Sequence, residues 1–124
     1  MAAPDTVVNL DEKFALFSDH WAPKTVGQLN DLQVKLVRTL GEFDWHAHED
    51  TDEFFLVVRG RLTIELRGRD DAVLGPGEFF VVPRGLEHRP VATEECALLL
   101  LEPAGTVNTG DATDSALTAT EEWI

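Results

Sequence analysis

The stretch "FDWHAHEDTDEFFLVVRG", Phe43 to Gly60, decides the interpretation of this chain. His46 and His48 stand one residue apart, shortly before an apolar run that Glu53 opens. Because residues i and i+2 of a β-strand point the same way, the two imidazoles are close enough to meet at one ion. Glu53 comes five positions after His48, and this odd number would place it on the other face of a straight strand. We therefore expect the polar "EDTD" to turn and to fold Glu53 back beside the histidines.

The same alternation predicts on which face of the strand the neighbouring side chains lie. Asp44 shares the face of the two histidines if the strand extends back to it, so it is a candidate to fix a histidine ring nitrogen. Phe55 and Val57 share the inward face of Glu53 and are candidate pocket residues. The outward face of the same strand carries Phe54, Leu56 and Val58.

A second stretch, "GPGEFFVVPRGLEHRP", contains His88 soon after a turn at Pro83 to Gly85. The turn closes an apolar strand, and its Pro-x-Gly chemistry is rigid. We expect His88 to stand at the start of the next strand, as a third imidazole aimed by this turn.

Short apolar segments separated by turn residues fill the middle of the chain. Asn30-Asp31, Arg59-Gly60 and Pro76-Gly77 are predicted turns, and "CALLLLEP" is the last predicted strand. This pattern predicts an all-β, single-domain barrel or sandwich over residues 23–103. The N-terminal segment, 1–22, has Leu10, Phe14 and Phe17 at helical spacing and predicts a short helix capped by Asn9.

The C-terminal extension, residues 104–124, is polar and turn-rich and resembles a disordered segment. It nevertheless ends in the apolar pair Trp123-Ile124. Two interpretations are open: the end docks on the domain or on a second subunit, or the tail is frayed.

Charge and composition exclude several classes of function. The chain has 124 residues and a formal net charge of -13, so nucleic acid and anionic membrane surfaces are not expected partners. The first residues lack the pattern of a signal peptide, and we expect a cytoplasmic protein. The single cysteine, Cys96, is expected to be buried.

Together, the two stretches resemble the paired motifs of the cupin superfamily, small single-domain cupin 2 type. The first motif, Gly, His-x-His, Glu, Gly, corresponds to Gly41, His46, His48, Glu53 and Gly60. The second, Gly, Pro-x-Gly, His, Asn, is matched by Gly77, Pro83, Gly85 and His88. This chain departs from the pattern in having four residues between Gly41 and His46, where the family usually has five, and Ala92 at the final Asn position.

The resemblance implies a jelly-roll (cupin) β-barrel with one divalent transition metal ion, Mn, Fe, Ni, Zn or Cu. It also implies the ligands, namely His46, His48, Glu53 and His88. Three neutral imidazoles and a carboxylate suit such an ion better than Ca²⁺ or Mg²⁺. With the ion, their charge sums to about +1, which attracts an anionic or enolisable small molecule.

Similar small cupins of bacterial type run from their last strand into a segment like "EPAGTVNTGD", Glu102 to Asp111. The resemblance implies a metalloenzyme with oxygenase, isomerase or rearrangement chemistry on a small polar molecule. Nitrogen–nitrogen bond formation is one specific possibility within that range. The alternative is a non-catalytic ligand-binding or sensing module. We also expect a homodimer, paired through its N-terminal strands, because Phe54, Leu56 and Val58 need cover.

Overall fold

Antiparallel strands form the body of the chain in a computed structural model, which describes residues 6–112 and 115–124. One short helix precedes them. The elements are α1 (Leu10–Phe14), β1 (Lys24–Leu29), β2 (Leu32–Glu42), β3 (Glu53–Arg59), β4 (Leu62–Leu66), β5 (Ala72–Leu74), β6 (Phe79–Val82) and β7 (His88–Pro103). The expected short helix is confirmed, and Asn9 caps it by accepting a hydrogen bond from the Glu12 amide.

Strand β7 joins the two halves of the barrel. The strand order is β1-β2-β7-β3-β6, and β4 pairs with both β5 and β7. The first part of β7 lies against β4 and the second part against β3, while β2 pairs with both parts. The predicted all-β jelly-roll architecture is therefore confirmed.

The last strand is longer than predicted. The sequence indicated a strand only at "CALLLLEP", whereas β7 already begins at His88. Residues 93–95 are exposed in the middle of β7. An exposed polar run is typical of a loop, so the sequence did not indicate that one strand continues from its pairing with β4 to its pairing with β3.

Two apolar clusters hold the fold together. The inner cluster fills the barrel and includes Phe55, Val57, Ile64 and Leu98. The outer cluster forms where α1 packs on the outer face of the sheet, and its buried members are Phe14, Val26, Leu36 and Ala97. Cys96 belongs to the inner cluster, and burial raises the pKa of its thiol to about 11, so the predicted inert, buried cysteine agrees with the structure.

The C-terminal extension docks on its own domain. The Thr25 amide donates to the Glu122 carbonyl at 2.7 Å, and the Ile124 amide donates to the Thr25 carbonyl at 3.1 Å. Lys13 Nζ also donates to the Ile124 carbonyl at 2.9 Å. Of the two interpretations left open by the sequence, the described residues of the tail follow the docked one.

Among the described residues, no helix has the length and apolar character needed to cross a membrane.

Candidate metal centre

The four residues predicted as ligands come together at one end of the barrel. His46 forms an isolated antiparallel bridge with His88, because each amide donates to the other residue's carbonyl, at 3.0 and 2.9 Å. His48 follows on the same short segment, and the turn at 49–52 brings Glu53 back to open β3. One ligand atom from each residue lies within 4.8 Å of the others, and all four side chains are buried.

Main-chain carbonyls fix the orientation of two imidazoles. His46 Nδ1 lies 2.9 Å from the Asp44 carbonyl oxygen, and His88 Nδ1 lies 2.9 Å from the Leu86 carbonyl oxygen. A carbonyl only accepts, so each Nδ1 carries a hydrogen, and Nε2 is the nitrogen left to bind a metal ion once it is deprotonated. This is the form in which a histidine binds a metal.

The role predicted for Asp44 needs a correction. Asp44 does orient a ligand histidine, but through its main-chain carbonyl and not through its carboxylate. The carboxylate instead accepts a hydrogen bond from the Ser115 hydroxyl of the C-terminal extension. Strand alternation predicts only where a side chain points, so it cannot reveal a contact made by the main chain.

Glu53 Oε1 lies 3.2 Å from Nε2 of both His48 and His88. His88 Nε2 donates a hydrogen bond to this oxygen, whereas the contact with His48 lacks hydrogen-bond geometry and leaves its buried Nε2 without a partner among the described residues. Burial raises the pKa of Glu53, but the two imidazoles outweigh burial and lower it. The carboxylate is therefore anionic at neutral pH, as a metal ligand must be.

The imidazoles differ from each other in basicity. Burial, together with the charge of a protonated His88, lowers the pKa of His46 to about 4. Burial also acts to lower the pKa of His48, but the adjacent Glu53 carboxylate outweighs it and raises the pKa above its ordinary value. The buried, inward-facing nitrogens, the orphaned Nε2 and the anionic oxygen fit a borderline divalent ion.

Two cavities flank the four residues. An inner one of about 30 Å³ has mostly apolar walls, including Trp21, Phe43 and Phe55, and touches His46 and Glu53. An outer cleft of about 470 Å³ is lined by His48 with residues 49–51 and by the start of the C-terminal extension. Of the two candidate pocket residues, Phe55 lines the inner cavity and Val57 is fully buried in the adjoining inner cluster.

The C-terminal extension hydrogen-bonds to the segment that carries His46 and His48 and packs against it. The Ala47 amide donates to Asp111 Oδ1 at 2.9 Å, and the Asp111 amide donates to the Ala47 carbonyl at 3.1 Å. Gly110 packs so closely that a Cβ there would overlap the Ala47 carbonyl oxygen and lie 3.2 Å from His46 Cδ2. Sequence reasoning missed this support, and the only signal for it was the turn-forming "NTGD" at 108–111.

Polar side chains inside the barrel were also missed. Gln33 and Lys35 on β2 and Glu102 on β7 are buried there, although they were not among the predicted site residues. Lys35 Nζ lies 3.0 Å from Glu102 Oε1. Burial and the nearby Glu53 charge raise the pKa of Glu102 to about 7. The alternation of β2 carried the signal, since it places Gln33 and Lys35 on one face with Val37 and Thr39.

Two aromatic residues that the motifs do not include lie outside the cluster. His20 Nε2 lies 2.7 Å from Glu95 Oε2, in an exposed contact. Trp45 packs under the Arg67 guanidinium, 4.0 Å from the ring centroid.

Comparison with known proteins agrees with this geometry. A family model described as a cupin domain matches residues 37–102. The uncharacterized protein YdbB of Bacillus subtilis (strain 168) is 38% identical over 78 residues, which cover 63% of this chain and 63% of that protein. The match thus spans less than two thirds of this curated relative.

Solved structures share the fold. A cupin-2 domain containing protein from Shewanella frigidimarina NCIMB 400 is 47% identical, with a TM-score of 0.76 over 78% of this chain and 94% of that one. A hydroquinone 1,2-dioxygenase, PnpCD, in complex with Cd²⁺ and 4-hydroxybenzonitrile, is 20% identical, with a TM-score of 0.63 over 89% of this chain and 74% of that one. From its matched motif region and the barrel that contains it, the chain belongs to the cupin family.

Proposed function

We propose that this cupin is a metalloenzyme that binds one divalent transition metal ion through His46, His48, Glu53 and His88. Its substrate is a small polar or anionic molecule chelated to that ion. The observation that carries the proposal is the set of four buried ligand atoms within 4.8 Å of one another. Among them, His48 Nε2 has no hydrogen-bond partner within the described residues, which is costly for a buried atom, and a metal ion would remove that cost.

The residues of the chain divide the work at this site. The Asp44 and Leu86 carbonyls hold His46 and His88 so that their Nε2 atoms face inward. Glu53 contributes the one negative charge, which leaves the loaded site at about +1 and favours an anionic ligand. When bound, a divalent ion supplies a Lewis acid or, if it is redox-active, an electron donor or acceptor.

The two cavities give the ligand its path and its boundary. The cleft beside His48 is large enough to admit a small molecule. The inner cavity, walled by Trp21, Phe43 and Phe55, keeps bulk water away from the inner side of the site. We assign oxygenase, isomerase or rearrangement chemistry as the range that this site supports. The similarity to the dioxygenase with bound Cd²⁺ supports the fold but does not identify the reaction. The proposal therefore depends on the metal-donor residues of this chain.

The test begins with elemental analysis of the purified protein. The metal-free protein is then reconstituted separately with Mn²⁺, Fe²⁺, Ni²⁺, Zn²⁺ and Cu²⁺. Each form is incubated with α-hydroxy acids, α-keto acids and catechols while oxygen uptake and product formation are followed. We expect one ion per chain and turnover with at least one metal. Loss of bound metal in His48→Ala, with His20→Ala unchanged, would support the site. Tight ligand binding without turnover under every condition would favour the sensing module.

We also propose that the protein is a homodimer. Phe79 and Val81 on β6 are 61% and 43% exposed, and the Phe54 ring packs 5.0 Å from the Phe79 ring. Among the described strands, β6 pairs only with β3, so one edge of it is free for a second copy. The predicted contact through the N-terminal strands is also open, because Leu29 at the end of β1 is 59% exposed. Val58, however, is packed against the outer cluster of its own chain.

A further inference from the structure

A row of polar side chains crosses three strands inside the barrel. Gln33 on β2 is directly opposite Glu102 on β7. On the other side of β7, Phe54 is opposite Leu101 and Phe55 is opposite Leu100. One further step in that register puts Glu53 opposite Glu102. Directly opposite residues have Cβ atoms about 5 Å apart, so Glu102 is an immediate neighbour of the predicted ligand Glu53.

The members of this row beyond Glu53 have unused hydrogen-bonding capacity. Gln33 and Glu102 are 4% and 1% exposed. Within the part of the chain that the structure describes, the Gln33 Oε1 atom and both Glu102 carboxylate oxygens have no hydrogen-bond partner. The 3.0 Å approach of Lys35 Nζ to Glu102 Oε1 is an ion pair without hydrogen-bond geometry. An ion pair kept only for stability needs its remaining lone pairs satisfied, and this one does not meet that condition.

The row is reached from outside through a cavity of about 600 Å³. Its wall is formed by Pro23, Thr25, Gln33 and Lys35 together with residues of the C-terminal extension. Residues 104–107 separate this cavity from the cleft beside His48. Gln33 and Lys35 therefore line an opening, and Glu102 stands between Gln33 and Glu53 in the strand register.

We propose that Gln33, Lys35 and Glu102 form a subsite for the hydroxyl groups of a small polyhydroxy carboxylate whose other end is chelated at the four-residue cluster. Unpartnered acceptor oxygens require hydrogen-bond donors, and hydroxyl groups supply them. The Lys35 ammonium donates to the oxygen of such a hydroxyl. Two strand spacings separate Glu53 from Gln33, so the ligand has a chain of roughly five or six carbon atoms. This inference rests on the proposed metal-binding function.

The test compares two ligands that differ only in their distal hydroxyls. Gluconate and 2-hydroxyhexanoate share the same α-hydroxy-carboxylate end and the same carbon count. We expect the Zn²⁺-loaded protein to bind gluconate at least about tenfold more tightly by titration calorimetry, since only gluconate has distal hydroxyls to hydrogen-bond with the row. In Gln33→Leu the preference should shrink severalfold, while affinity for 2-hydroxyhexanoate and the zinc content stay unchanged.

The outcomes separate the two proposals. Equal affinity for both ligands in the zinc-loaded wild-type protein would overturn the subsite and leave the metal site standing. It would mean that water molecules alone donate the hydrogen bonds to the unpartnered oxygens of the row. A protein that binds none of Mn²⁺, Fe²⁺, Ni²⁺, Zn²⁺ and Cu²⁺ would overturn both proposals. If Gln33→Leu does not fold, Lys35→Met in its place should reduce the gluconate preference, and an unchanged preference there would contradict the subsite.

Discussion

Asp111 binds Ala47 through both polar groups of the Ala47 main chain, with its carboxylate on the amide and its own amide on the carbonyl. Ala47 separates His46 from His48. The amide and carbonyl of His46 face the other way and pair with His88. The segment with the two histidines is therefore held along both edges, and the C-terminal extension is part of the site.

Replacing Asp111 by alanine should weaken both the fold and the metal site. A hydrogen bond to a charged group contributes about 1.5–3 kcal/mol, so we expect a loss of that order in the free energy of unfolding. Support residues of ligand histidines affect metal affinity by about tenfold or more. Denaturant unfolding and competition with a chelator measure the two effects. Asp111→Asn keeps an acceptor oxygen and is the matched control. Equal metal affinity in the alanine variant and the wild type would contradict this role.

Gly110→Ala should displace the histidine segment, because its Cβ would collide with the Ala47 carbonyl. Gly68→Ala is the control, since Gly68 also has positive φ but no atom within 4 Å of an added Cβ. Both substitutions carry the strain of the left-handed backbone, on the order of 1 kcal/mol. We expect only Gly110→Ala to lose metal affinity in the same chelator competition. Similar losses in the two variants would show that strain alone is responsible.

Local signals predicted the all-β fold and placed the candidate ligands near one another, while the resemblance to the cupin motifs implied the jelly roll and the ligand set itself. Period-two alternation placed His46 and His48 on one face of a strand. The Pro83–Gly85 turn predicted that His88 stands at the start of the next strand. Other contacts depend on which segments become neighbours in the fold. They are the contact of the Asp44 carbonyl with His46, the hydrogen bonds of Asp111 to Ala47, and the pairing of Gln33 with Glu102. That register is set by tertiary packing over 60 or more residues of chain, as in the pairing of Gln33 with Glu102, and no local pattern encodes it.

The metal-free protein should lose stability in acid partly through His46. Burial lowers the pKa of His46 from 6.5 to about 4. Between these values the unfolded chain binds a proton that the folded state does not. The contribution of neutral His46 to the free energy of unfolding is therefore complete above pH 6.5. It falls by on the order of 3 kcal/mol as the pH drops toward 4.

Urea unfolding in chelator at about pH 7 and about pH 4.5 tests this sign. The comparison is between wild type and His46→Gln, so that titration of the other groups cancels. The wild-type protein should lose more stability on acidification than the variant. Equal losses in the two proteins would show that His46 titrates normally.

Phe79→Asp should produce a monomer if β6 forms the proposed dimer contact, because a charge at a buried interface is strongly unfavourable. Light scattering at micromolar concentration measures the mass directly. Val73→Asp on β5, where Val73 is 48% exposed, is the control for adding a charge to the surface. A dimeric Phe79→Asp would move the contact to the N-terminal strands, and a monomeric wild type would refute the dimer.

The most direct test of the metal site is a crystal structure of the zinc-loaded protein with anomalous diffraction measured at the zinc edge. We expect one strong peak per chain, about 2.0–2.2 Å from the inward nitrogens of His46, His48 and His88 and from a Glu53 oxygen. The same peak should be missing from crystals of His88→Ala. A wild-type structure with no peak among these four residues, or with zinc only on the exposed acidic turn at 49–52, would contradict the account.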